Sequence, residues 1–135
     1  VYPSYYEPWG YTPLESIAFG IPTITTDLAG FGLWAKKHVT GNNISEGVAV
    51  VNRDDFNYFE VADAITSSIL ALAGKDKKET AEIRKRSFCL AAKAEWSKFI
   101  VYYLSLQRFR QKRDDTILKY KLKHFKLHNN ENQSE

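Results

Sequence analysis

Residues 1–34 read VYPSYYEPWGYTPLESIAFGIPTITTDLAGFGLW, and this stretch decides the fold of the chain. Its two carboxylates, Glu7 and Glu15, are separated by seven residues, among them a glycine and a proline that predict the start of a helix. The run Pro22–Thr26 then predicts a short strand that begins at proline. A turn with two glycines follows at 27–32. Loop, helix, strand and glycine turn in this order are typical of an α/β nucleotide-binding domain.

The helix after Gly10 carries recognisable start and stop signals. Thr12 and Glu15 have the spacing of a capping box, in which Thr12 is the N-cap and Glu15 reaches back from the third helical position. Pro13 would be the first helical residue, where its missing N–H costs nothing. Gly20 would end the helix. A capping box by itself usually does no more than cap a helix.

The start of this helix also suits a bound anion. Gly10 lets the backbone approach a ligand closely because it has no Cβ. The free N–H groups of Gly10, Tyr11 and Thr12, with the helix dipole behind them, would form an anion site. Phosphate binding is favoured over capping alone because these features occur together within a few residues of two acids.

At this point the sequence resembles a known family. PSYYEPWGYTPLE, followed by GIPTITTDLAGFG, is similar to the C-terminal nucleotide-binding domain of glycogen synthases of the animal, fungal and related bacterial type. These are retaining glycosyltransferases of the GT-B architecture, and Glu7 and Glu15 match their E-x7-E motif. The match is specific over Tyr2–Gly32 and is one of pattern only beyond about residue 35. The resemblance implies an α/β fold: the incomplete, Rossmann-like C-terminal half of a GT-B glycosyltransferase, with few parallel strands and long C-terminal helices.

The resemblance also implies roles for individual residues. Glu7 would be the catalytic carboxylate at the donor sugar, with a positioning and electrostatic role favoured over a covalent one. Glu15 would accept hydrogen bonds from the ribose hydroxyls. The backbone N–H groups of Gly10, Tyr11 and Thr12 would hold the pyrophosphate of the donor, which is UDP-glucose or ADP-glucose. The acceptor would be the non-reducing end of an α-1,4-glucan, and no cofactor or metal is expected.

Two features of the motif complicate this interpretation. Glu15 would have to close a capping box and also bind ribose, which requires one carboxylate oxygen for each task. The aromatic residues around the motif could contact sugar or base, or pack the loop against its own domain, and packing is expected for at least two of the four. Tyr11 is the one expected to reach a ligand. The four aromatic residues are Tyr5, Tyr6, Trp9 and Tyr11.

The chain is expected to be part of a larger enzyme. It has 135 residues and no methionine, and its first residues already predict a strand that leads into the motif. Only three strands are predicted, at 1–4, 22–26 and 47–51, fewer than an open parallel sheet usually has. The missing N-terminal domain of the same enzyme would complete the active-site cleft. We therefore expect the chain to be inactive on its own.

The remaining sequence is mainly helical. Apolar residues recur at helical spacing over 58–72 and again over 96–109, and a charged helix is predicted between them at 75–86. The predicted organisation is a nucleotide-sugar-binding domain with trailing helices at 1–118 and a basic, then polar, disordered tail at 119–135. The apolar stripe over 96–109 would pack on 58–72, or would be bare and favour a homo-oligomer. Its members are Trp96, Phe99, Ile100, Tyr103 and Leu106.

Charge and composition restrict the partners. The net charge of +3 conceals a basic excess over 108–128, a segment that also contains Tyr120 and Phe125. A solvated surface is expected there, and nucleic acid is an unlikely partner. Family members that sense glucose 6-phosphate use an arginine-rich helix. In this chain Thr80 and Cys89 stand at two of those positions, so no allosteric site is assigned. Basic residues do lie near that cluster, namely Lys77, Lys78, Arg84 and Arg86.

Other chemistry finds little support in the sequence. The single cysteine, Cys89, favours a reducing compartment, and the predicted location is the cytoplasm. The three histidines lack metal-ligand spacing, and no run is apolar enough to span a membrane. Two alternatives to a glycogen synthase stay open. One is another GT-B glycosyltransferase with a different donor or acceptor, and the other is a non-catalytic helical interaction module.

Overall fold

The computed structural model describes residues 1–131, with side chains described through residue 120, and the chain divides into two compact units, Val1–Ala94 and Glu95–Glu135. In chain order the first unit contains α1 (Tyr11–Ala18), β1 (Thr23–Thr26), α2 (Gly30–Lys36), a 3₁₀ turn (Ile44–Glu46), β2 (Val48–Val51), α3 (Tyr58–Ala73), α4 (Lys77–Ala91) and a second 3₁₀ turn (Ala92–Ala94). The second unit contains α5 (Trp96–Glu131).

The sheet of the first unit has two parallel strands. Thr23 pairs with Val48 and Thr26 with Val51, and every residue of both strands is buried. The strands predicted at 22–26 and 47–51 are therefore confirmed to within one residue. The predicted strand at 1–4 is wrong: only Tyr2 joins the sheet, through an isolated parallel bridge to Thr25. Pro3 has no N–H to continue the ladder.

Helices cover both faces of this sheet. Along β2, Val48 and Val50 face one apolar cluster while Ala49 and Val51 face the other, as the two-residue period of a strand requires. The first cluster joins them to α1, α2 and α4 through Ile17, Phe31, Ala35 and Leu90. The second joins them to β1, the first 3₁₀ turn and α3 through Ile24, Ile44 and Val61. Burial on both faces is typical of a parallel sheet in an α/β domain.

The predicted start of α1 is wrong, whereas its predicted end is confirmed. The helix begins at Tyr11 with Gly10 as its N-cap, and none of the described side chains caps it. Thr12 therefore lies inside the helix, and Glu15 closes no capping box. Gly10 has a φ of 103°, a left-handed conformation that starts the helix earlier than Thr12 would. At the other end, the N–H groups of Gly20 and Ile21 donate to the carbonyls of Ile17 (2.9 Å) and Ser16 (3.0 Å) in a Schellman motif.

Helix α4 is bound to the sheet unit by close backbone contacts. Gly47, at the entry to β2, has a φ of 91°, and a Cβ there would lie 2.5 Å from the backbone nitrogen of Ser87. The Ser87 hydroxyl donates to the Gly47 carbonyl (3.0 Å), and the Arg84 Nε donates to the Gly20 carbonyl (3.1 Å). The charged helix predicted at 75–86 is thus present at Lys77–Ala91 and packs against the domain along one side.

Helix α5 is a single long element. Trp96, Tyr103 and Leu106 of its predicted apolar stripe are exposed. The helix continues through residues 119–131, and residues 132–135 lie outside the described residues. The division of the chain at 118 and the disorder of its end stay predictions. Among the described helices, none is both long and apolar enough to cross a membrane.

Candidate functional site

The loop that carries Glu7 lies alongside the turn between β1 and α2. The N–H of Glu7 donates to the carbonyl of Leu28 (3.4 Å), and the carbonyl of Glu7 accepts from the N–H of Gly30 (3.1 Å). The Phe31 N–H donates to the Trp9 carbonyl (2.6 Å). The first amides of α2 are therefore used to hold the motif loop.

Gly30 lets this loop sit so close to α2. A Cβ at residue 30 would overlap the carbonyl oxygen of Pro8 and would lie 3.1 Å from the Cα of Trp9. The sequence placed Gly30 in a turn but did not reveal this purpose, because a close backbone contact between residues more than 20 apart leaves no local pattern.

The aromatic residues of the motif divide into packed and exposed members. Trp9 is half-buried against the rings of Phe31 and Trp34, at centroid distances of 6.3 and 6.1 Å. Tyr6 and Tyr11 are 82% and 71% exposed. Trp9 thus anchors the loop to its own domain, as expected for part of this set. The suggestion that Tyr11 contacts a ligand stays a prediction.

Glu7 is half-buried, and one of its carboxylate oxygens accepts a hydrogen bond. The Ser4 hydroxyl donates to Glu7 Oε2 at 3.1 Å. A Cβ on Gly10 would lie 3.4 Å from the same oxygen, so the carboxylate lies beside the N-cap of α1. The structure therefore brings Glu7 and Gly10 together. Ser4 was missed by sequence reasoning, since a serine three residues before a glutamate in a loop is not a specific signal.

The start of α1 has backbone donors without protein acceptors. Tyr11 and Thr12 are the first two helical residues, and Pro13 has no N–H. Within the part of the chain that the structure describes, no side chain caps this helix and no carbonyl outside it accepts from Gly10, Tyr11 or Thr12. Gly10 is itself buried, whereas Tyr11 and Thr12 are exposed. The amides of Tyr11 and Thr12 are thus open to an acceptor from outside the chain.

Glu15 lies one turn further along the exposed face of α1. It follows Tyr11 by four residues, the spacing at which two side chains share a helix face, and both residues are exposed. Among the described side chains, none forms a hydrogen bond or ion pair with the Glu15 carboxylate. The expected conflict between capping and ligand binding is therefore absent, because Glu15 does not cap α1.

The motif lies at the carboxyl end of the two strands. Asp27 follows β1 and Arg53 lies just beyond β2, and the Arg53 N–H donates to Asp27 Oδ1 (2.9 Å). Thr26 Oγ1 donates to the Ser4 carbonyl, which ties the motif loop to the same end of β1. Ligands of open α/β sheets bind outside the carboxyl ends of the strands. The position of the motif agrees with this rule.

Comparison with known proteins identifies the family. The family model described as Glycogen synthase matches residues 1–134. The chain belongs to the glycogen synthase family. This confirms the resemblance that the motif carries and extends it over almost the whole chain.

Curated members of the glycogen synthase family are similar over most of the chain. "Glycogen [starch] synthase" of Caenorhabditis elegans is 32% identical over 113 residues, which cover 84% of this chain and 17% of the relative. "Glycogen [starch] synthase, liver" of Mus musculus is 33% identical over 103 residues, 76% of this chain and 14% of the relative. The Neurospora crassa "Glycogen [starch] synthase" is 29% identical, with 84% and 16% covered. The chain therefore spans only a small part of the length of these glycogen synthases.

A separate cavity of about 420 Å³ lies along α4. Its lining mixes three cationic side chains, those of Lys75, Lys78 and Arg86, with the carboxylates of Glu79 and Glu82. Ion pairs of Lys75 with Glu79 (2.9 Å) and of Arg86 with Glu82 (3.9 Å) offset two of these three positive charges, so the structure adds no reason to assign a regulatory anion site. In the part of the chain that the structure describes, no group of three or more metal-ligating side chains occurs.

Proposed function

We propose that the chain supplies one wall of the active-site cleft of a retaining GT-B glucosyltransferase. The enzyme transfers glucose from a nucleoside diphosphate glucose to the non-reducing end of an α-1,4-glucan. A second domain of the same protein supplies the other wall, so residues 1–135 alone should show no turnover. The proposal is supported above all by one observation: the unpaired amides at the start of α1 lie beside the oriented carboxylate of Glu7.

In this proposal the amides of Gly10, Tyr11 and Thr12 bind the pyrophosphate of the donor. Negative charge grows on the leaving phosphate as its bond to glucose breaks. Backbone donors that are already aligned stabilise this charge without reorganising. The positive end of the α1 dipole adds to the same effect.

The two glutamates act at different parts of the donor. Glu7 is beside the N-cap and faces the glucose near its anomeric carbon, where it positions the sugar and stabilises positive charge. Glu15 follows Tyr11 by four residues, about 6 Å along the helix axis, so it binds the ribose hydroxyls on the far side of the phosphates. We place the enzyme in the cytoplasm, where an exposed thiol such as that of Cys89 stays reduced.

The test is incorporation of labelled glucose into glycogen by the whole protein, with UDP-glucose and ADP-glucose offered separately. Glu7→Gln keeps the shape of the side chain and removes its charge, and should lower kcat by about a hundredfold or more. Glu60→Gln, at an exposed position in the first turn of α3, is the matched control and should leave kcat unchanged.

Different outcomes point to the alternatives. Transfer to acceptors other than glycogen would indicate another GT-B enzyme. Failure of the whole protein to bind any sugar nucleotide would indicate a helical interaction module. Equal activity of the Glu7→Gln and control variants would reject the role of Glu7.

A further inference from the structure

Arg53 contacts three separate partners, and two of them belong to the motif loop. Its N–H donates to Asp27 Oδ1 at 2.9 Å, which fixes its backbone at the end of β1. Its Nη1 donates to the Pro3 carbonyl at 2.5 Å. Its guanidinium lies 5.2 Å from the centroid of the Tyr5 ring, within the range of a cation–π contact. The Tyr5 hydroxyl donates to Asp55 Oδ1, so the loop after β2 holds this ring from a second side.

The two residues that the Arg53 side chain contacts flank Ser4. Ser4 is the residue whose hydroxyl donates to Glu7 Oε2 at 3.1 Å, and its carbonyl accepts from Thr26 Oγ1. A shift of Pro3 or Tyr5 would move Ser4 and thereby turn the Glu7 carboxylate. The contacts thus form one continuous connection from Arg53, through Pro3 and Tyr5, to Ser4 and Glu7.

We propose that Arg53 is a positioning residue that fixes the Glu7 carboxylate through Ser4. This inference rests on the proposed function, because it assigns Arg53 a part in the reaction that Glu7 serves. A planar guanidinium can donate to a carbonyl and stack on a ring at the same time, which a lysine ammonium cannot do equally well. Misplacement of a reacting group by about 1 Å can cost up to a hundredfold in rate.

A purely stabilising role would predict a different response. Lys36 offers the matched control, because its Nζ forms an ion pair with Asp27 Oδ2 at 2.9 Å but has no contact with Pro3 or Tyr5 among the described residues. Arg53→Gln and Lys36→Gln each remove one cationic side chain, and the backbone N–H of residue 53 keeps its hydrogen bond to Asp27 in both variants. Only Arg53→Gln releases the loop that carries Ser4.

The kinetic test uses the whole protein. Arg53→Gln should lower kcat by about tenfold, with a change in the KM for the sugar nucleotide of less than about twofold because phosphate and ribose are bound elsewhere. Ser4→Ala should lower kcat to a similar extent. Arg53→Lys should be intermediate, and Lys36→Gln should retain the kcat of the unmodified protein.

The double variant Arg53→Gln/Ser4→Ala shows whether the two residues act in one chain of contacts. If Arg53 acts through Ser4, the double variant should be no slower than the slower single variant. Losses that multiply to about a hundredfold would mean independent action and would overturn the proposal. Equal kcat values for Arg53→Gln and Lys36→Gln would overturn it as well.

Hydrogen exchange separates failure of this inference from failure of the proposed function. If the whole protein transfers no glucose, the proposed function is wrong, but exchange can still be measured. Arg53→Gln should then speed exchange over residues 4–7, where the amides of Ser4 and Glu7 donate to Tyr2 and Leu28, and Lys36→Gln should not. Unchanged exchange over residues 4–7 in Arg53→Gln would refute the positioning role whatever the activity.

Discussion

Helices α1 and α4 begin in opposite ways. At α4 the Asp76 carboxylate accepts from the Glu79 N–H (2.7 Å), and Glu79 Oε2 accepts from the Asp76 N–H (3.1 Å), which completes a capping box. Lys75 adds an ion pair to Glu79 at 2.9 Å. At α1 the N-cap is Gly10, and no side chain among those described satisfies the first amides.

The difference shows that two similar sequence patterns can form different structures. Thr12 and Glu15 have the same spacing as Asp76 and Glu79, yet only the second pair forms the box. At α4 the chain satisfies its own donors, which stabilises the helix. At α1 the donors have no acceptor in the part of the chain that the structure describes, and the helix is held instead by packing, with Ile17 fully buried. A helix start that is left open in this way suits an acceptor from outside the chain.

Among substitutions that test the contrast between the two helix starts, Gly10→Ala is expected to have the largest effect on stability. An alanine at a φ of 103° is strained, and its Cβ would lie 3.2 Å from Pro13 Cγ. We expect a loss of about 2 kcal/mol in the free energy of unfolding, measured by urea denaturation. Donor affinity of the whole protein should fall too, since the first amides of α1 would be displaced.

Gly74→Ala is the matched control for this substitution. Gly74 ends α3 with a φ of −78°, and a Cβ there would be 3.5 Å from the Leu70 carbonyl, an ordinary contact. Its free energy of unfolding should change by less than about 0.5 kcal/mol. Equal losses in the two variants would mean that α1 does not depend on the unusual conformation of Gly10.

A smaller effect is expected from Asp76→Ala, which removes the N-cap of α4. Loss of an N-cap carboxylate costs about 1 kcal/mol, to be measured in the same urea experiment. Thr12→Ala should have little effect, because Thr12 caps nothing. If Thr12→Ala destabilised the chain as much as Asp76→Ala, the contrast between the two helix starts would disappear.

The smallest expected effect is a pH dependence at the start of α4. The hydrogen bond from Lys75, with that from the Asp76 N–H, lowers the pKa of Glu79 below its usual value of 4.5. A lowered folded-state pKa means that Glu79 stabilises the fold above the unfolded pKa and loses this contribution as the pH falls through the folded pKa. Stability measured below pH 4.5 should therefore decline slightly less in Glu79→Gln than in the unmodified chain. A steeper decline in the variant would contradict the assignment.

Local patterns in the sequence predicted much of the fold. The β-branched run ending at Thr26 and the apolar run ending at Val51 are strands, and Gly20 ends α1 by the motif expected of a helix-terminal glycine. The strand at residues 1–4 and the capping box at Thr12 were wrong. In both places the outcome depends on neighbours: Pro3 interrupts the pairing with β1, and the conformation of Gly10 sets where α1 begins.

The sequence predicted the residues of the candidate site itself, but it did not predict the residues that hold them in place. Glu7, Gly10 and Glu15 stand out because their spacing is unusual and matches a family motif. Ser4 and Arg53 do not, since a serine near a glutamate and an arginine after a strand are common. Their roles appear only when the chain brings residue 53 to within hydrogen-bond distance of residue 3, a separation of 50 in sequence.

The sequence by itself determined the two buried strands, the end of α1 and the two carboxylates of the motif, and the resemblance of that motif indicated the family. The strands and the end of α1 follow from local spacing, apolar periodicity and the conformations that glycine and proline allow. Only the tertiary structure decided which helix start stays open and how Glu7 is oriented. Both depend on contacts between distant segments, such as Pro8 on Gly30 and Arg53 on Pro3, and no local preference encodes such contacts.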